Sequence, residues 1–266
     1  MKTWIKALVI LFGLIFIYQM VGAFFFIIGI VFYGDVDSVP GNYTMMALIL
    51  TQLSMLGFVY LIFKTPNFKI YIRMKRPNRK MLLWSLIGGM AILPISTLMI
   101  SGMALIIPDV VARYIDLMET SLGDANLVIV LISVAILAPV VEEVMLRGVL
   151  FRQLETATKN RAVIVVLSGV IFGIFHLNIV QGVFTTFAGI LFALAFLWTK
   201  NLWVPIMLHL GNNVFAVLIG ELPETLLEST WFNTLFVALI VFVPISFYML
   251  YQERYQESLL EVKTFF

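Results

Sequence analysis

The 266-residue sequence contains no cysteine and few charged residues, which make up 12% of the chain. The lack of cysteine excludes disulfide bridges, thiolate metal sites and a thiol nucleophile. Soluble domains carry about 25% charged residues, and a net charge of +2 is too small to hold a polyanion. Soluble globular proteins, disordered chains and nucleic-acid-binding proteins are therefore excluded.

Apolar residues are abundant and account for 62% of the sequence. A helix of roughly 20 apolar residues crosses a hydrocarbon core about 30 Å thick, and the first apolar run is too long for the core of a signal peptide. The sequence thus predicts an all-α, polytopic bundle of about eight transmembrane helices in the cell membrane. The eight runs lie at 7–33, 45–63, 81–107, 125–151, 161–177, 179–199, 202–219 and 231–251.

The distribution of charge between these runs predicts which ends face the cytoplasm. One connection carries cations and no acidic residue, namely Lys64, Lys69, Arg73, Lys75, Arg76, Arg79 and Lys80. The loops on either side of it carry Asp35, Asp37, Asp109, Asp116, Glu119 and Asp124. Because basic loops stay in the cytoplasm, we expect both termini to be cytoplasmic and Arg113 to be the one cation outside.

A few ionisable residues lie inside the apolar runs, where they are least expected. They are Glu142, Glu143, Arg147, His176 and His209, and the last two are the only histidines in the chain. A charged side chain at mid-bilayer costs about 2.5–3.5 kcal/mol on insertion scales, so such residues pair, line a wet cavity or take part in chemistry. These residues are therefore the first functional candidates.

In the fourth run, the spacing gives the two acids different surroundings. Glu143 and Arg147 are four residues apart with the acid first, which is the favourable order for a helical ion pair. Glu142 points about 100° away around the helix and has no local cation, so it can serve as a general base. Pro139 frees backbone groups one turn earlier.

The fifth and seventh runs each carry a histidine on a distinctive face. Gly169, Gly173 and His176 share one face, and the two glycines allow close approach by a neighbouring helix. His209 and Asn213 are four residues apart, so both can point at one object. Interhelical hydrogen bonding would explain each residue separately, but the joint pattern predicts one shared site.

In this order, the three pieces resemble the motifs of the CPBP family of intramembrane proteases, also called the CAAX protease or Abi family. The family pattern is Glu-Glu-x-x-x-Arg, then Phe-x-x-x-His, then His-x-x-x-Asn. Here it reads Glu142-Glu143 to Arg147, Phe172 to His176, and His209 to Asn213. The resemblance extends over residues 130–220.

The resemblance implies endopeptidase activity within or near the membrane, on a membrane-associated protein or peptide. Glu142 and His176 would activate a water, while His209 and Asn213 would stabilise the oxyanion or help to hold a metal. The supporting residues would be Glu143, Arg147 and Phe172. Eukaryotic members remove the last three residues of prenylated proteins, and bacterial relatives are linked to bacteriocin self-immunity and peptide-signal processing.

Two hydrolytic routes remain open at this stage. In the metal-free route, Glu142 is the general base and His209 and Asn213 donate to the oxyanion. In the other route, Glu142, His176 and His209 bind Zn²⁺, which activates a bound water. The metal-free route is favoured because the His-Glu-x-x-His signature is absent and asparagine is a poor zinc ligand.

Two other functional classes also fit intramembrane ionisable residues. One is a transporter that uses them as a proton or ion relay, and the other is a non-catalytic immunity factor or chaperone. On the protease interpretation, the chain is a single membrane domain over 1–266, with anchoring helices in 1–124, catalytic helices in 125–220 and a cytoplasmic tail in 252–266. The basic segment 66–80 lies on the anionic inner leaflet or acts only as a topology signal.

The depths of the candidate residues present one difficulty. At 1.5 Å per residue, Glu142 lies roughly 14 Å and His209 roughly 10 Å from the cytoplasmic end of its run, but His176 lies roughly 22 Å from that end. A shared site therefore requires tilted helices or different helix ends.

Overall fold

The chain folds into a bundle of helices, and every regular element in its described part is helical. The computed structural model describes residues 2–63 and 67–263, with the side chains of 4–63 and 67–253. The principal helices are α1 (Lys2–Tyr33), α2 (Gly41–Ile62), α3 (Arg79–Ile106), α4 (Pro108–Leu122), α5 (Leu127–Ala157), α6 (Arg161–Phe175), α7 (Ile179–Thr199), α8 (Trp203–Gly220), α9 (Thr230–Ala238) and α10 (Phe242–Lys263). Shorter helical turns lie at Val36–Ser38, Phe68–Tyr71, Glu224–Leu227 and Leu239–Val241.

Within the described residues, 7 segments are long and apolar enough to cross a membrane. They are α1, α2, α3, α5, α7, α8 and the continuous stretch Thr230–Glu253 from α9 into α10. The predicted polytopic bundle is confirmed, but the predicted count of about eight spans is wrong. The fifth run forms α6, which has 15 residues and is shorter than the roughly 20 needed to span.

The fifth run is shortened because its helix stops at the histidine. His176 ends α6, Leu177 has a φ of 51°, and the side chain of Asn178 accepts hydrogen bonds from the first amides of α7. The fifth and sixth runs thus form a tight helical hairpin. A Cβ on Gly173 would overlap Thr186 and Gly182, so the glycines do allow α6 and α7 to approach closely.

Polar contacts identify two ends of the bundle. At one end, which we call the basic end, Glu155 lies 2.5 Å from Arg73 and 2.8 Å from Lys200, and Asn78 donates to Glu253 over 2.6 Å. At the other end, an Asp124 oxygen accepts the Gly41 amide hydrogen over 2.7 Å. The hairpin of α6 and α7 therefore leaves from and returns to the basic end.

Helix α4 was not expected, since its residues were interpreted as a loop. Pro108 occupies its first turn, where a missing amide hydrogen has no cost. Val111 is buried, and the Tyr114 ring lies edge-on to Phe184 at 6.3 Å. The inward residues recur every three or four positions, so α4 lies across the end of the bundle as an amphipathic helix.

Two predicted features lie partly outside the described residues. Lys64 of the basic connection is among the residues that are not described, and so is the end of the predicted tail, 264–266. Residues 252–263 continue α10 and do not begin a separate helix.

Candidate active site

Helix α5 carries both acids of the first motif into the interior. Glu142 and Glu143 end a short α-helical stretch, Ala138–Glu143, that lies between π-helical segments at Leu131–Leu137 and Val144–Leu150. The two side chains are 7% and 0% exposed. π-Helical turns are rare and are concentrated at functional sites, and here they bracket the two carboxylates.

The first π-helical segment and Pro139 together leave one carbonyl free for the site. The Ala138 amide bonds to Ser133, so it does not reach Val134, and proline has no amide hydrogen to offer in its place. The free Val134 oxygen accepts a hydrogen bond from Nδ2 of Asn213 over 2.9 Å. The prediction that Pro139 frees backbone groups is confirmed, and the freed carbonyl orients a candidate catalytic amide.

The predicted ion pair of Glu143 and Arg147 is present and completely buried. Nη1 of Arg147 lies 2.8 Å from Oε1 of Glu143, and Nη2 donates to the Gly189 carbonyl over 2.7 Å. The guanidinium also lies 5.1 Å from the centre of the Phe172 ring, a cation–π distance. Arg147 thus ties α5 to both helices of the hairpin.

His209 lies between the two acids and contacts each through a different ring nitrogen. Its Nδ1 is 3.2 Å from Oε1 of Glu143, and its Nε2 is 3.8 Å from Oε2 of Glu142. The ring stacks on Phe192 with centroids 5.2 Å apart. Glu143 therefore does more than neutralise Arg147, because a carboxylate at Nδ1 fixes the tautomer and orientation of the imidazole.

His176 is oriented by the backbone of its own helix. Its Nδ1 lies 2.8 Å from the Phe172 carbonyl oxygen. Because a carbonyl can only accept, Nδ1 carries the proton and Nε2 keeps a lone pair. The Phe172 ring packs edge-on against both histidines, 5.0 Å from His176 and 5.4 Å from His209, so Phe172 acts as a spacer between them.

One cavity of about 340 Å³ collects the predicted residues. Glu142, His176, His209 and Asn213 all line it, and so does Phe172. Asn212, which shares a helix face with His209 in the sequence, also lines the cavity. Sequence reasoning missed several other polar lining residues, most of them from helices interpreted as anchors, namely Tyr18, Gln19, Gln52, Ser96, Gln181 and Thr185. The sequence feature that could have identified these residues is that each is a polar residue within or beside an apolar run.

Several buried polar atoms of this lining have no hydrogen-bond partner among the described residues. They are Oε2 of Glu142, Oε1 of Gln52, Oγ of Ser96 and Oδ1 of Asn212. Gln52 and Ser96 are 0% and 4% exposed, and a buried polar atom without a partner costs about 1–3 kcal/mol. The cavity is therefore suited to a ligand with polar groups.

The depth difficulty is resolved by the observed helix ends. Helix α5 ends at Ala157, so Glu142 lies about 22 Å from that end, the same as His176 from the start of α6. Helix α8 begins inside the bundle, since Asn201 and Leu202 before it are fully buried. His209 is therefore deeper than its distance from the start of its helix suggests.

Backbone packing of α8 on α3 fixes the position of His209 and Asn213. A Cβ on Gly211 would lie 2.5 Å from the Leu86 carbonyl oxygen. A Cβ on Gly89 would overlap the Leu208 carbonyl oxygen, next to His209. Contacts this close require glycine, so α3 contributes directly to the geometry of the site.

The three residues considered as zinc ligands do not form a metal cluster. Within the described part of the chain, no three His, Asp or Glu side chains are grouped so that they could hold a metal ion. Glu142 and His209 approach each other to 3.8 Å, but His176 faces them across the Phe172 ring. The donor set does not fit a three-ligand zinc site, and no catalytic step is assigned to a metal.

Comparison with known proteins agrees with the motifs. The family described as type II CAAX prenyl endopeptidase Rce1-like matches residues 124–215. The chain is 30% identical to the membrane-embedded CAAX protease MroQ of Staphylococcus aureus over 202 residues, which cover 71% of this chain and 78% of MroQ.

Another similar protein is the putative membrane peptidase YdiL of Bacillus subtilis, which is 36% identical over 89 residues, or 34% of this chain and 36% of YdiL. No solved structure matches the chain with significance. The extent of the MroQ match, together with the family match over the three motifs, shows that this multi-pass membrane protein belongs to the Rce1-like CAAX protease (CPBP) family.

Proposed function

We propose that this protein is an intramembrane endopeptidase that hydrolyses a peptide bond of a membrane-associated protein or peptide without a metal. The observation that carries the proposal is the buried Oε2 of Glu142. It has no hydrogen-bond partner among the described residues, and it faces Nε2 of His209 at 3.8 Å. Both residues line the cavity of about 340 Å³ together with His176, and this polar part of the cavity suits a water and a carbonyl group.

Glu142 acts as the general base. A water held between Oε2 of Glu142 and Nε2 of His176 loses a proton to the carboxylate as its oxygen attacks the substrate carbonyl carbon. The tautomer of His176 suits this role, since the Phe172 carbonyl occupies Nδ1 and leaves Nε2 to accept from the water. The proton then passes to the leaving nitrogen as the C–N bond breaks.

His209 and Asn213 stabilise the oxyanion. In its protonated form His209 donates from Nε2, and Glu143 at Nδ1 offsets the positive charge of the ring. One hydrogen of the Asn213 amide is taken by Val134, which aims the amide and leaves its second hydrogen for the substrate. Removal of one such donor typically lowers kcat by about 10²–10³.

The unpartnered oxygens of Gln52, Ser96 and Asn212 bind the substrate backbone. A peptide amide hydrogen is the natural partner for the two carboxamide oxygens, which can only accept. Among the described lining residues there is no Lys or Arg, and Glu142 already supplies negative charge. The described lining thus offers no permanent cation to an acidic side chain, so the substrate segment at the scissile bond carries no negative charge.

The test is to isolate substrates with a Glu142→Gln variant. The purified wild-type protein should generate new peptide termini, detected by mass spectrometry, when it is mixed with a detergent extract of membrane proteins. The Glu142→Gln variant should lose this activity but retain the uncleaved substrate on purification. Glu119→Gln, a charge-matched change on exposed α4, should cleave like the wild type. Normal cleavage by Glu142→Gln would overturn the proposal.

A further inference from the structure

A second cavity lies at the basic end, away from the candidate active site. It has a volume of about 450 Å³, and we call it the basic groove. Its lining residues are Lys69, Met74, Lys75, Arg76, Pro77, Leu82, Trp203 and Met207. The groove thus combines exposed cations of the 67–80 connection with a half-buried apolar floor from α3 and α8.

Among the described residues that line the groove, every charged side chain is a cation. Lys69, Lys75 and Arg76 line it, and residues 67–80 contain no acidic side chain. Arg73, in the same connection, is held by Glu155 on α5, which fixes the connection to the bundle. A ligand with a compact negative charge is therefore complementary to the rim of the groove.

The floor requires an apolar partner as well. Leu82, Met207 and the Trp203 ring form it, and tryptophan is enriched where a membrane meets water. Exposed Ile70 beside the rim, at 72% exposure, extends the apolar surface outwards. A free phosphate ion would leave this floor uncovered, whereas an acyl chain would cover it.

We propose that the basic groove binds an anionic phospholipid, with its phosphate between Lys69 and Arg76 and an acyl chain along Leu82 and Met207. The positive-inside rule places this end at the cytoplasmic leaflet, which carries anionic lipids. If the cations served only as a topology signal, the apolar floor of the groove would remain unexplained.

The position of the groove connects it to the catalytic helix. The Leu202 amide donates to the Arg73 carbonyl over 3.0 Å, so the basic connection holds the start of α8. Trp203 and Met207 of the floor lie on α8 and precede His209 by six and two residues. A bound lipid therefore packs directly on the helix that presents His209 and Asn213.

Lipid binding can be measured independently of peptidase activity. The full-length protein is reconstituted in vesicles of phosphatidylcholine alone or of a three-to-one mixture with phosphatidylglycerol brominated on its acyl chains. Bromine quenches the fluorescence of a nearby tryptophan. The part of the quenching that disappears in a Trp203→Phe variant therefore measures lipid bound in the groove. A double variant, Lys69→Gln with Arg76→Gln, should weaken the apparent affinity measured by this Trp203-dependent quenching about 25-fold, at about five-fold per cation.

A matched control distinguishes binding in the groove from general attraction of the lipid to surface cations. Lys159→Gln with Arg161→Gln removes two exposed cations of the described chain that lie outside the groove lining, and this variant should bind like the wild type. Equal weakening by both double variants would indicate diffuse surface attraction and overturn the proposal. So would displacement of the lipid by millimolar inorganic phosphate, or Trp203-dependent quenching that is unchanged in the Lys69 and Arg76 variant.

Discussion

Oε1 of Glu143 lies 3.2 Å from Nδ1 of His209, across the boundary between α5 and α8. The same oxygen accepts a hydrogen bond from Arg147, so one carboxylate serves a buried cation and an imidazole together. The consequence is a chain of contacts from Arg147 through Glu143 to His209, which ends at Oε2 of Glu142. Glu143 thus takes no part in the proposed hydrolytic step itself, but it positions His209, which does.

The first prediction concerns this positioning role. In a Glu143→Gln variant, the amide oxygen can still accept from Nδ1 of His209, but the negative charge beside the imidazole is lost. We expect kcat to fall by about 10²–10⁴, as when the orienting carboxylate of a catalytic histidine is replaced, with KM little changed. Steady-state kinetics would show this, and an unchanged kcat would contradict the positioning role.

The second prediction concerns stability. Replacing Arg147 by Met leaves Glu143 buried without its cation, a change that typically destabilises a protein by about 3–5 kcal/mol. Thermal unfolding in detergent should show a large decrease in Tm. The double variant Glu143→Gln with Arg147→Met removes the uncompensated charge and should recover part of the loss. A single variant as stable as the wild type would contradict the prediction.

The third prediction tests the substrate-binding oxygens. Ser96→Ala removes one hydroxyl from the cavity, and Gln52→Met removes a whole carboxamide, including the Nε2 that donates to the Ser133 carbonyl over 3.1 Å. Both substitutions change the side-chain volume little. Each should raise KM by about 2–10-fold, the equivalent of one hydrogen bond, and leave kcat within two-fold. Thr51→Val is the matched control, since Thr51 is buried on the same helix and bonds only to Ala47 in the described contacts. A change in kcat instead of KM would show that these side chains do not act in binding.

The fourth prediction concerns the helix crossing that supports α8. Gly89→Ala forces a methyl group against the Leu208 carbonyl oxygen, so α8 must shift, at a cost of about 1–3 kcal/mol. Tm and activity should fall together. Gly102→Ala lies on the same helix with no neighbour within 4 Å, and it should be neutral or slightly stabilising. Equal effects of the two substitutions would contradict the proposed role of the crossing.

The features that the sequence predicted well depend on neighbours along the chain. The apolar runs became helices and the Glu143–Arg147 pair formed, because helical spacing alone places residues four apart side by side. The span count was wrong because hydrophobicity does not show where a helix stops. The fifth run was predicted over 161–177, but its helix ends at Phe175 and Asn178 caps the next helix.

The sequence by itself determined that this chain is a helical membrane protein and which acid, imidazole and amide side chains are its candidate catalytic groups, since composition and spacing are local properties. Only the tertiary structure decided that Glu143 holds His209, that Val134 orients Asn213 and that Gln52 and Ser96 line the same cavity. These contacts join helices far apart in the chain. They depend on how closely the helix backbones approach at glycines such as Gly89 and Gly211, and no periodicity in the sequence encodes that approach.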